Sequence, residues 1–196
     1  MSVVDRPADR PVVEHAVAYR GRVFDLVSDQ VDLGGSVVVR DFIDHPGAVG
    51  VIALDDDDRV LLMSQYRHPA RHVLWEPPAG LLDVKGEPPV AAAARELAEE
   101  ADLTAGSWWR LVEFFTTPGG SNEHIVMFLA RDLAPVDHAD RYERVDEEAD
   151  LVPEWVPLDE AVEAALGGRI QSPTAVTGIL AAAAARARGW DTLRPA

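Results

Sequence analysis

The feature that most constrains the fold is a helix that the sequence places between runs of strand. Residues 88–101 follow a glycine-bearing loop, begin with two prolines and continue through a run of alanines. Proline suits the first turn of a helix, where its missing N–H costs little, and alanine has the highest helix propensity. Strand-like segments precede and follow this helix, and further helices come last. This order predicts an α+β fold rather than a regular βαβ alternation.

The strand predictions rest on apolar runs bounded by turn residues. The run "GAVGVIAL" (47–54) is typical of a buried strand, and "RVLLMSQYR" (59–67) is a second strand. Asp55–Asp58 between them are predicted to form a solvated turn rather than a metal site, because aspartate is a turn residue. A short strand is predicted at the start of "HVLWEPPAG", and further strands in "SWWRLVEFF", "EHIVMFLA" and "EWVPL". Further helices are predicted in "LDEAVEAALGG" and from Ser172 onward.

The N-terminal region differs in character from the rest of the chain. Residues 1–12 are polar and contain proline, so we expect them to be flexible. Residues 13–43 suggest short strands, with a hairpin around Gly34 and Gly35. We therefore divide the chain into a flexible N-terminus (1–12), an N-terminal β subdomain (13–45) and a main domain (46–190).

Composition excludes several classes of function. The chain has 196 residues, no cysteine and a formal net charge of -16. A disulfide framework and thiolate chemistry are therefore excluded, and binding to nucleic acid is not expected, because it requires clustered lysine and arginine. No apolar run is long enough to span a bilayer, and the N-terminus lacks the pattern of a secretory signal. We expect a cytoplasmic protein with no membrane partner, in which a phosphorylated ligand would need local arginines or bound metal.

Three carboxylates are crowded on the helix at 88–101. Glu96 is three and four residues from Glu99 and Glu100, so like charges are neighbours on one face and destabilise an isolated helix. Arg95, four residues before Glu99, offsets only part of this repulsion. Two interpretations remain open: a solvated acidic face, or a site for hard divalent cations such as Mg²⁺, which prefer oxygen ligands.

The segment from Gly80 to Leu103 resembles the Nudix box, G-x5-E-x7-R-E-U-x-E-E-x-G-U, in which U is a bulky aliphatic residue. The matching residues are Gly80, Glu87, Arg95, Glu96, Leu97, Glu99, Glu100 and Leu103. There are two departures from the pattern. Six residues instead of five separate Gly80 from Glu87, and Asp102 replaces the final glycine. The insertion falls in a loop, where it costs little, and aspartate tolerates a left-handed backbone better than most residues.

The resemblance implies a Nudix fold, with a mixed β-sheet core between helices (an α/β/α sandwich) and an N-terminal β-hairpin subdomain. It also implies two or three Mg²⁺ or Mn²⁺ ions as cofactors. The implied metal ligands are the Ala79 backbone carbonyl and the side chains of Glu96, Glu99 and Glu100. Arg95 would orient the glutamates, and Glu87 would support the start of the helix.

The wider chain, from about Val13 to Ala182, is similar to the ADP-ribose pyrophosphatase branch of this family. The similarity rests on "SQYRH", "LWEPPAG" and "TTPGGSNE", the last with Pro118 fifteen positions after Leu103. The branch hydrolyses ADP-ribose to AMP and ribose 5-phosphate. The implied substrate-binding residues are Arg67, which would grip the diphosphate, and Arg40, Asp41, Pro118, Gly119, Ser121 and Glu123.

The resemblance also implies a catalytic base and a partner subunit. A glutamate of the loop containing "DEEAD" would accept the proton of the attacking water or position that water; we assign this role to Glu148, with Glu147 as the alternative. A solvated acidic loop is the other interpretation of this stretch. The N-terminal hairpin is similar to a domain that is swapped in a homodimer, which would place Arg40 and Asp41 near the nucleoside of the partner's substrate.

Other functions remain open at this point. The substrate of a Nudix enzyme could instead be another nucleotide sugar or an oxidised nucleoside triphosphate. A protein of a different class would bind a nucleotide without turnover and regulate a partner. His68 and His72 have a spacing that can hold zinc on a helix, but their place between strands favours ordinary loop histidines.

Overall fold

The computed structural model describes residues 3–137, 139, 141–142 and 151–196. Contacts between Cα atoms divide the chain into two compact units. The first unit contains the chain up to Pro46 together with Thr117–Glu123, and the second contains Gly47–Thr116 and His124–Ala196. Among the described residues, no helix is both long enough and apolar enough to cross a membrane.

The first unit is built on a three-stranded antiparallel sheet in the order β1-β2-β3. Its strands are β1 (Val12–Arg20), β2 (Asp25–Asp32) and β3 (Val37–Asp44). The hairpin predicted around Gly34 is formed by β2 and β3, and Gly34 takes a φ of 86° that suits glycine in this turn. The sheet therefore extends the predicted hairpin by a third strand, β1, which pairs with β2.

The described residues of the second unit form eight strands and three helices. They are β4 (Ala48–Ala53), β5 (Arg59–Arg67), β6 (His72–Glu76), β7 (Ala79–Leu81), α1 (Pro89–Ala101), β8 (Leu103–Phe115), β9 (His124–Pro135), β10 (Val152–Pro157), α2 (Leu158–Leu166), α3 (Pro173–Arg186) and β11 (Arg194–Pro195). A five-stranded sheet has the order β11-β8-β9-β4-β7, and a three-stranded sheet has the order β10-β5-β6. The larger sheet is mixed, because β4 runs parallel to β9 and antiparallel to β7.

The larger sheet is packed between helices. Alternate residues of β4 and β9 point to opposite faces, so each strand contributes to two separate apolar clusters. The first cluster contains Ile52 and Met127 with residues of α2 and α3, and the second contains Val51 and Phe128 with residues of α1. The predicted α+β class and the sandwich of a mixed sheet between helices are both confirmed. The continuous apolar run of β4 is explained by burial on both faces.

The two ends of α1 agree with the sequence. Pro88 is the N-cap residue and Pro89 is the first helical residue. At the other end Asp102 takes the left-handed conformation, with φ 55° and ψ 34°, and its backbone N–H donates to the carbonyl of Ala98 at 3.1 Å. At the position where the Nudix pattern has glycine, Asp102 therefore adopts the left-handed conformation that glycine takes most easily.

The short strands β7 and β11 were not predicted, and the predicted strand "EHIVMFLA" continues to Pro135.

Candidate active site

Helix α1 packs its apolar residues into the core, and its crowded carboxylates are also largely covered by the protein. Ala92, Ala93 and Leu97 are fully buried in the apolar cluster beneath the helix. The side chains of Glu96 and Glu99 are only 12% and 31% exposed. The crowded carboxylates therefore lie against other parts of the protein, which differs from a freely solvated acidic face.

Arg95 binds three of the surrounding carboxylates. Its guanidinium donates from Nε and Nη2 to Glu87, at 3.3 and 3.2 Å, and from Nη1 to Glu96 at 2.6 Å and to Glu99 at 3.2 Å. The hydrogen bonds to Glu87 raise the pKa of Arg95 above its usual value, and the contacts with Glu96 add to this effect although partial burial opposes it. Arg95 therefore remains charged and offsets the repulsion between the glutamates.

Gly80 lies directly against the carboxylate of Glu96. A Cβ atom at this position would come within 2.0 Å of both the carboxyl carbon and Oε1 of Glu96. Such a distance is far below any van der Waals contact, so a larger residue at Gly80 would displace the carboxylate. The glycine of the loop is thus explained by a close approach between backbone and side chain.

The N–H of Ala79, in the edge strand β7, points away from the neighbouring strand β4 and toward α1. In the pairing of β7 with β4, the N–H of Val51 donates to the carbonyl of Pro78 at 2.8 Å, and Ala79 is the next residue, opposite Gly50. Residues of an antiparallel pair alternate between hydrogen-bonded and non-hydrogen-bonded positions, so Ala79 occupies the latter. Its N–H donates instead to Oε2 of Glu100 at 2.9 Å. Because the N–H and C=O of a strand residue point to the same side, the Ala79 carbonyl also faces the Glu100 side.

A cleft lies between Glu100, near the C-terminal end of α1, and the strands β5 and β6. It is lined by Met63, Gln65, Arg67, Glu76, Pro77, Ala79, Glu100 and Leu151. Arg67, which the sequence assigns to the diphosphate, therefore shares the cleft with Ala79 and Glu100. Its guanidinium donates to Oε2 of Glu76 from Nε at 3.0 Å and from Nη2 at 2.5 Å. Glu76 is a buried carboxylate that sequence reasoning did not assign, although it stands within the quoted "LWEPPAG".

The predicted metal ligands have the right chemistry for a hard cation. Carboxylate and carbonyl oxygens are the ligands that Mg²⁺ and Mn²⁺ prefer. Within the described part of the chain, however, no three histidine or acidic side chains already converge on one point that could hold a metal. The hydrogen bonds explain this arrangement, because Arg95 engages Glu96 and Glu99 while the Ala79 N–H engages Glu100. The donors therefore fit the ion in type.

The remaining predicted substrate residues belong to the first unit. Arg40 and Asp41 are exposed on β3, and the loop containing Pro118 and Gly119 continues to Ser121 and Glu123. The loop is fixed to the end of β3, where the N–H of Ile43 donates to the carbonyl of Gly120 at 2.9 Å.

The side chains of this loop are also held within the first unit. The hydroxyl of Ser121 donates to the Ile43 carbonyl at 3.2 Å and accepts the N–H of Glu123 at 3.0 Å. The carboxylate of Glu123 lies 3.7 Å from Nε2 of His45. The two catalytic candidates of the polar loop, Glu147 and Glu148, lie outside the described residues.

The two histidines with zinc-like spacing do not point at a common site. His68 Nδ1 contacts the hydroxyl of Tyr66 and the guanidinium of Arg71, both at 3.4 Å. His72 Nδ1 donates to the carbonyl of Ala70 at 2.7 Å. His68 belongs to the turn between β5 and β6, as expected for a loop histidine, and His72 is the first residue of β6.

Comparison with known proteins gives consistent matches. The family model of the NUDIX domain matches residues 44–175. The chain is 42% identical over 174 residues to an ADP-ribose pyrophosphatase of Mycobacterium tuberculosis, with 88% of this chain and 83% of the relative covered. It is 34% identical over 146 residues to an ADP-ribose pyrophosphatase of Bacillus subtilis, with 74% and 77% covered. A crystal structure described as an ADP compounds hydrolase superposes with a TM-score of 0.76 at 20% identity, covering 95% of this chain and 99% of that chain, and shows a shared fold.

Proposed function

The chain belongs to the Nudix family, and we propose that it hydrolyses the diphosphate bond of ADP-ribose to give AMP and ribose 5-phosphate. The observation that carries this proposal is the cleft shared by Arg67, Ala79 and Glu100. It combines a cation suited to a diphosphate with oxygen ligands suited to a divalent metal. The choice of ADP-ribose is supported by the relative from M. tuberculosis, whose name states that substrate.

The metal site we propose consists of Glu96, Glu99, Glu100 and the carbonyl of Ala79. Two or three Mg²⁺ or Mn²⁺ ions held there would neutralise the diphosphate and lower the pKa of a bound water. Gly80 leaves room for the carboxylate of Glu96, and Arg95 keeps the neighbouring carboxylates in place. An acidic protein of net charge -16 would otherwise repel an anionic substrate.

The protein's own residues then bind the substrate and move one proton. Arg67 donates paired hydrogen bonds to the diphosphate. Glu148, or alternatively Glu147, accepts the proton of the attacking water as its oxygen bonds to phosphorus. The bond from that phosphorus to the bridging oxygen breaks, and each product leaves with one phosphate group. Glu148 lies three residues before Leu151 in the sequence, and Leu151 lines the cleft.

We also propose that the first unit forms the interface of a homodimer, in which Arg40 and Asp41 contact the nucleoside of the partner's substrate. The support is an accumulation of exposed apolar side chains on its small sheet. Among them are Val12, Val13, Tyr19, Leu26, Val37 and Val39, each at least 40% exposed. Light scattering coupled to size exclusion should give twice the monomer mass of 21.3 kDa. A monomer at micromolar concentration would contradict the proposed dimer.

The catalytic proposal is tested by AMP release from ADP-ribose in the presence of Mg²⁺. Glu100→Gln should reduce the rate at least about a hundredfold, because a carboxylate ligand is lost. Glu163→Gln, on the exposed face of α2, is the matched control and should retain full activity. Equal rates in Glu100→Gln and the unchanged chain would contradict the site.

A panel of nucleotide sugars and oxidised nucleoside triphosphates, assayed in parallel, tests the choice of substrate. Faster turnover of any of these than of ADP-ribose would reassign the substrate within the same reaction class. Binding of ADP-ribose without turnover of any compound would favour the nucleotide sensor.

A further inference from the structure

Glu76 is a buried carboxylate that accepts hydrogen bonds from Arg67. The residue is only 8% exposed, whereas the Arg67 side chain is 43% exposed. Two N–H groups of the guanidinium donate to a single oxygen, Oε2 of Glu76. An arginine has five N–H donors in a fixed plane, so a bond from Nε and Nη2 determines where the rest of the group points.

The strand register shows that the Arg67 side chain must run along the strand direction to make this contact. Opposite residues of the β5–β6 pair are Met63 and Glu76 at one end, and Arg67 and His72 at the other. Arg67 is therefore four residues, or about 13 Å along the strand, from the position opposite Glu76. Met63, Gln65 and Arg67 share one face because side chains alternate along a strand. To reach Glu76, the Arg67 side chain must extend from the hairpin end past Gln65 toward the position opposite Met63.

The cleft that Arg67 enters also contains two of the proposed metal ligands. Glu76 lines it together with Pro77, Ala79 and Glu100. An arginine near the end of an exposed hairpin would otherwise extend into solvent, where its side chain has the most conformational freedom. The buried negative charge of Glu76 thus supplies a reason for Arg67 to line the same cleft as Ala79 and Glu100.

We propose that Glu76 is a positioning residue, which holds the guanidinium of Arg67 in the cleft that contains Ala79 and Glu100, so that the guanidinium can bind the diphosphate. This proposal rests on the proposed function. A purely stabilising role accounts less well for the pair, because the cost of burying the Glu76 carboxylate opposes the gain from its contact with Arg67. The location of the pair in the cleft favours a role in binding.

The test combines two single variants and the double variant of the full-length chain. Glu76→Gln keeps the shape of the side chain but removes the charge that attracts Arg67. Dissociation constants for ADP-ribose are measured by calorimetry in Ca²⁺, and kcat and KM for its hydrolysis are measured in Mg²⁺. Glu154→Gln, an exposed glutamate of β10 in the same sheet, is the matched control.

We expect Glu76→Gln to weaken ADP-ribose binding about tenfold, the value of one hydrogen bond to a charged group. The loss should appear in KM more than in kcat, and calcium affinity in the absence of ADP-ribose should not change. Arg67→Gln should weaken binding at least as much, and the double variant should bind like Arg67→Gln alone. Its melting temperature should exceed that of Arg67→Gln, because the double variant no longer buries an unpaired carboxylate.

The alternative outcomes separate the two proposals. If Glu76→Gln binds ADP-ribose like the unchanged chain, or if the losses of the two single variants multiply in the double variant, the positioning role of Glu76 is overturned. If the unchanged chain neither binds nor hydrolyses ADP-ribose, the proposed function is overturned, and the role of Glu76 falls with it.

Discussion

The backbone of Gly80 and the carboxylate of Glu96 occupy adjoining space, such that a methyl group on Gly80 would overlap the carboxylate at 2.0 Å. The loop glycine and the helix glutamate are sixteen positions apart in the sequence. Their contact explains why a glycine and a glutamate recur together in one pattern. The glycine leaves the glutamate a fixed place beside the loop.

Gly80→Ala should therefore damage metal-dependent activity more than stability. The atoms that must move are the end of a flexible side chain, so the fold can accommodate the methyl group while Glu96 leaves its place. We expect AMP release to fall at least about tenfold, with the melting temperature lowered by only a few degrees. Gly35→Ala is the control, because a Cβ there meets nothing within 4 Å. Full activity of Gly80→Ala at low Mg²⁺ would show that Glu96 does not need its observed position.

Arg95→Gln should reduce stability in a way that Mg²⁺ partly reverses. Removing the guanidinium leaves Glu87, Glu96 and Glu99 without the charge that binds all three. We expect a loss of about 1–3 kcal/mol in the free energy of unfolding, since these are hydrogen bonds between charged groups in a partly buried place. Divalent cations should recover part of it by replacing the missing positive charge. Chemical denaturation with and without Mg²⁺ measures both effects.

The control for this prediction is Arg110→Gln. Arg110 is about half exposed and lies 3.7 Å from Glu113, so its loss should cost less than about 0.5 kcal/mol. An equal cost for the two arginine variants, independent of Mg²⁺, would mean that Arg95 does not organise the glutamates.

Much of the fold could be read from local pattern. The buried strand β4, the helix α1 and the turn at Asp55–Asp58 each follow from a short stretch whose residues have strong local preferences. The strands β7 and β11 could not be found in this way. Each has only two or three residues and exists because a neighbouring strand pairs with it, which is a long-range effect.

The features of the candidate site also separate into local ones, which the sequence shows, and long-range ones, which it does not. The spacing of Arg95, Glu96 and Glu99 on one helix is visible in sequence, because i and i+4 residues are neighbours on any helix. The partner of Arg67 is not visible, because Glu76 reaches it across a strand pair whose register the sequence does not specify. The direction of the Ala79 N–H and C=O groups also depends on the β4–β7 register, since a shift of one residue would turn both groups toward β4.

Asp102→Gly should stabilise the protein without changing its kinetics. Asp102 has φ 55°, a conformation that glycine adopts more easily than any residue with a Cβ. We expect a gain of about 0.5–1 kcal/mol, reduced slightly by loss of the 3.9 Å contact with Arg141. Asp102→Val should be destabilising, because a β-branched residue tolerates this backbone poorly. The prediction would be contradicted if the glycine variant melted below the unchanged chain or altered KM for ADP-ribose.

Asp55→Asn should lower stability at neutral pH and have less effect in acid. Burial alone would raise the pKa of the Asp55 carboxyl, but hydrogen bonds from the N–H groups of Arg59 and Asp57 and from the Arg59 guanidinium hold it below its usual value of 3.8. A carboxyl with a lowered pKa in the folded state contributes stability above its unfolded pKa and loses it as pH falls through the folded pKa. We therefore expect a cost of about 1 kcal/mol at pH 7 that shrinks below about pH 4. Urea denaturation at pH 7, 5 and 3 measures this, with the 78% exposed Asp57 replaced by asparagine as control. A cost that stays constant down to pH 3 would mean that the ionised form of Asp55 is not what the turn requires.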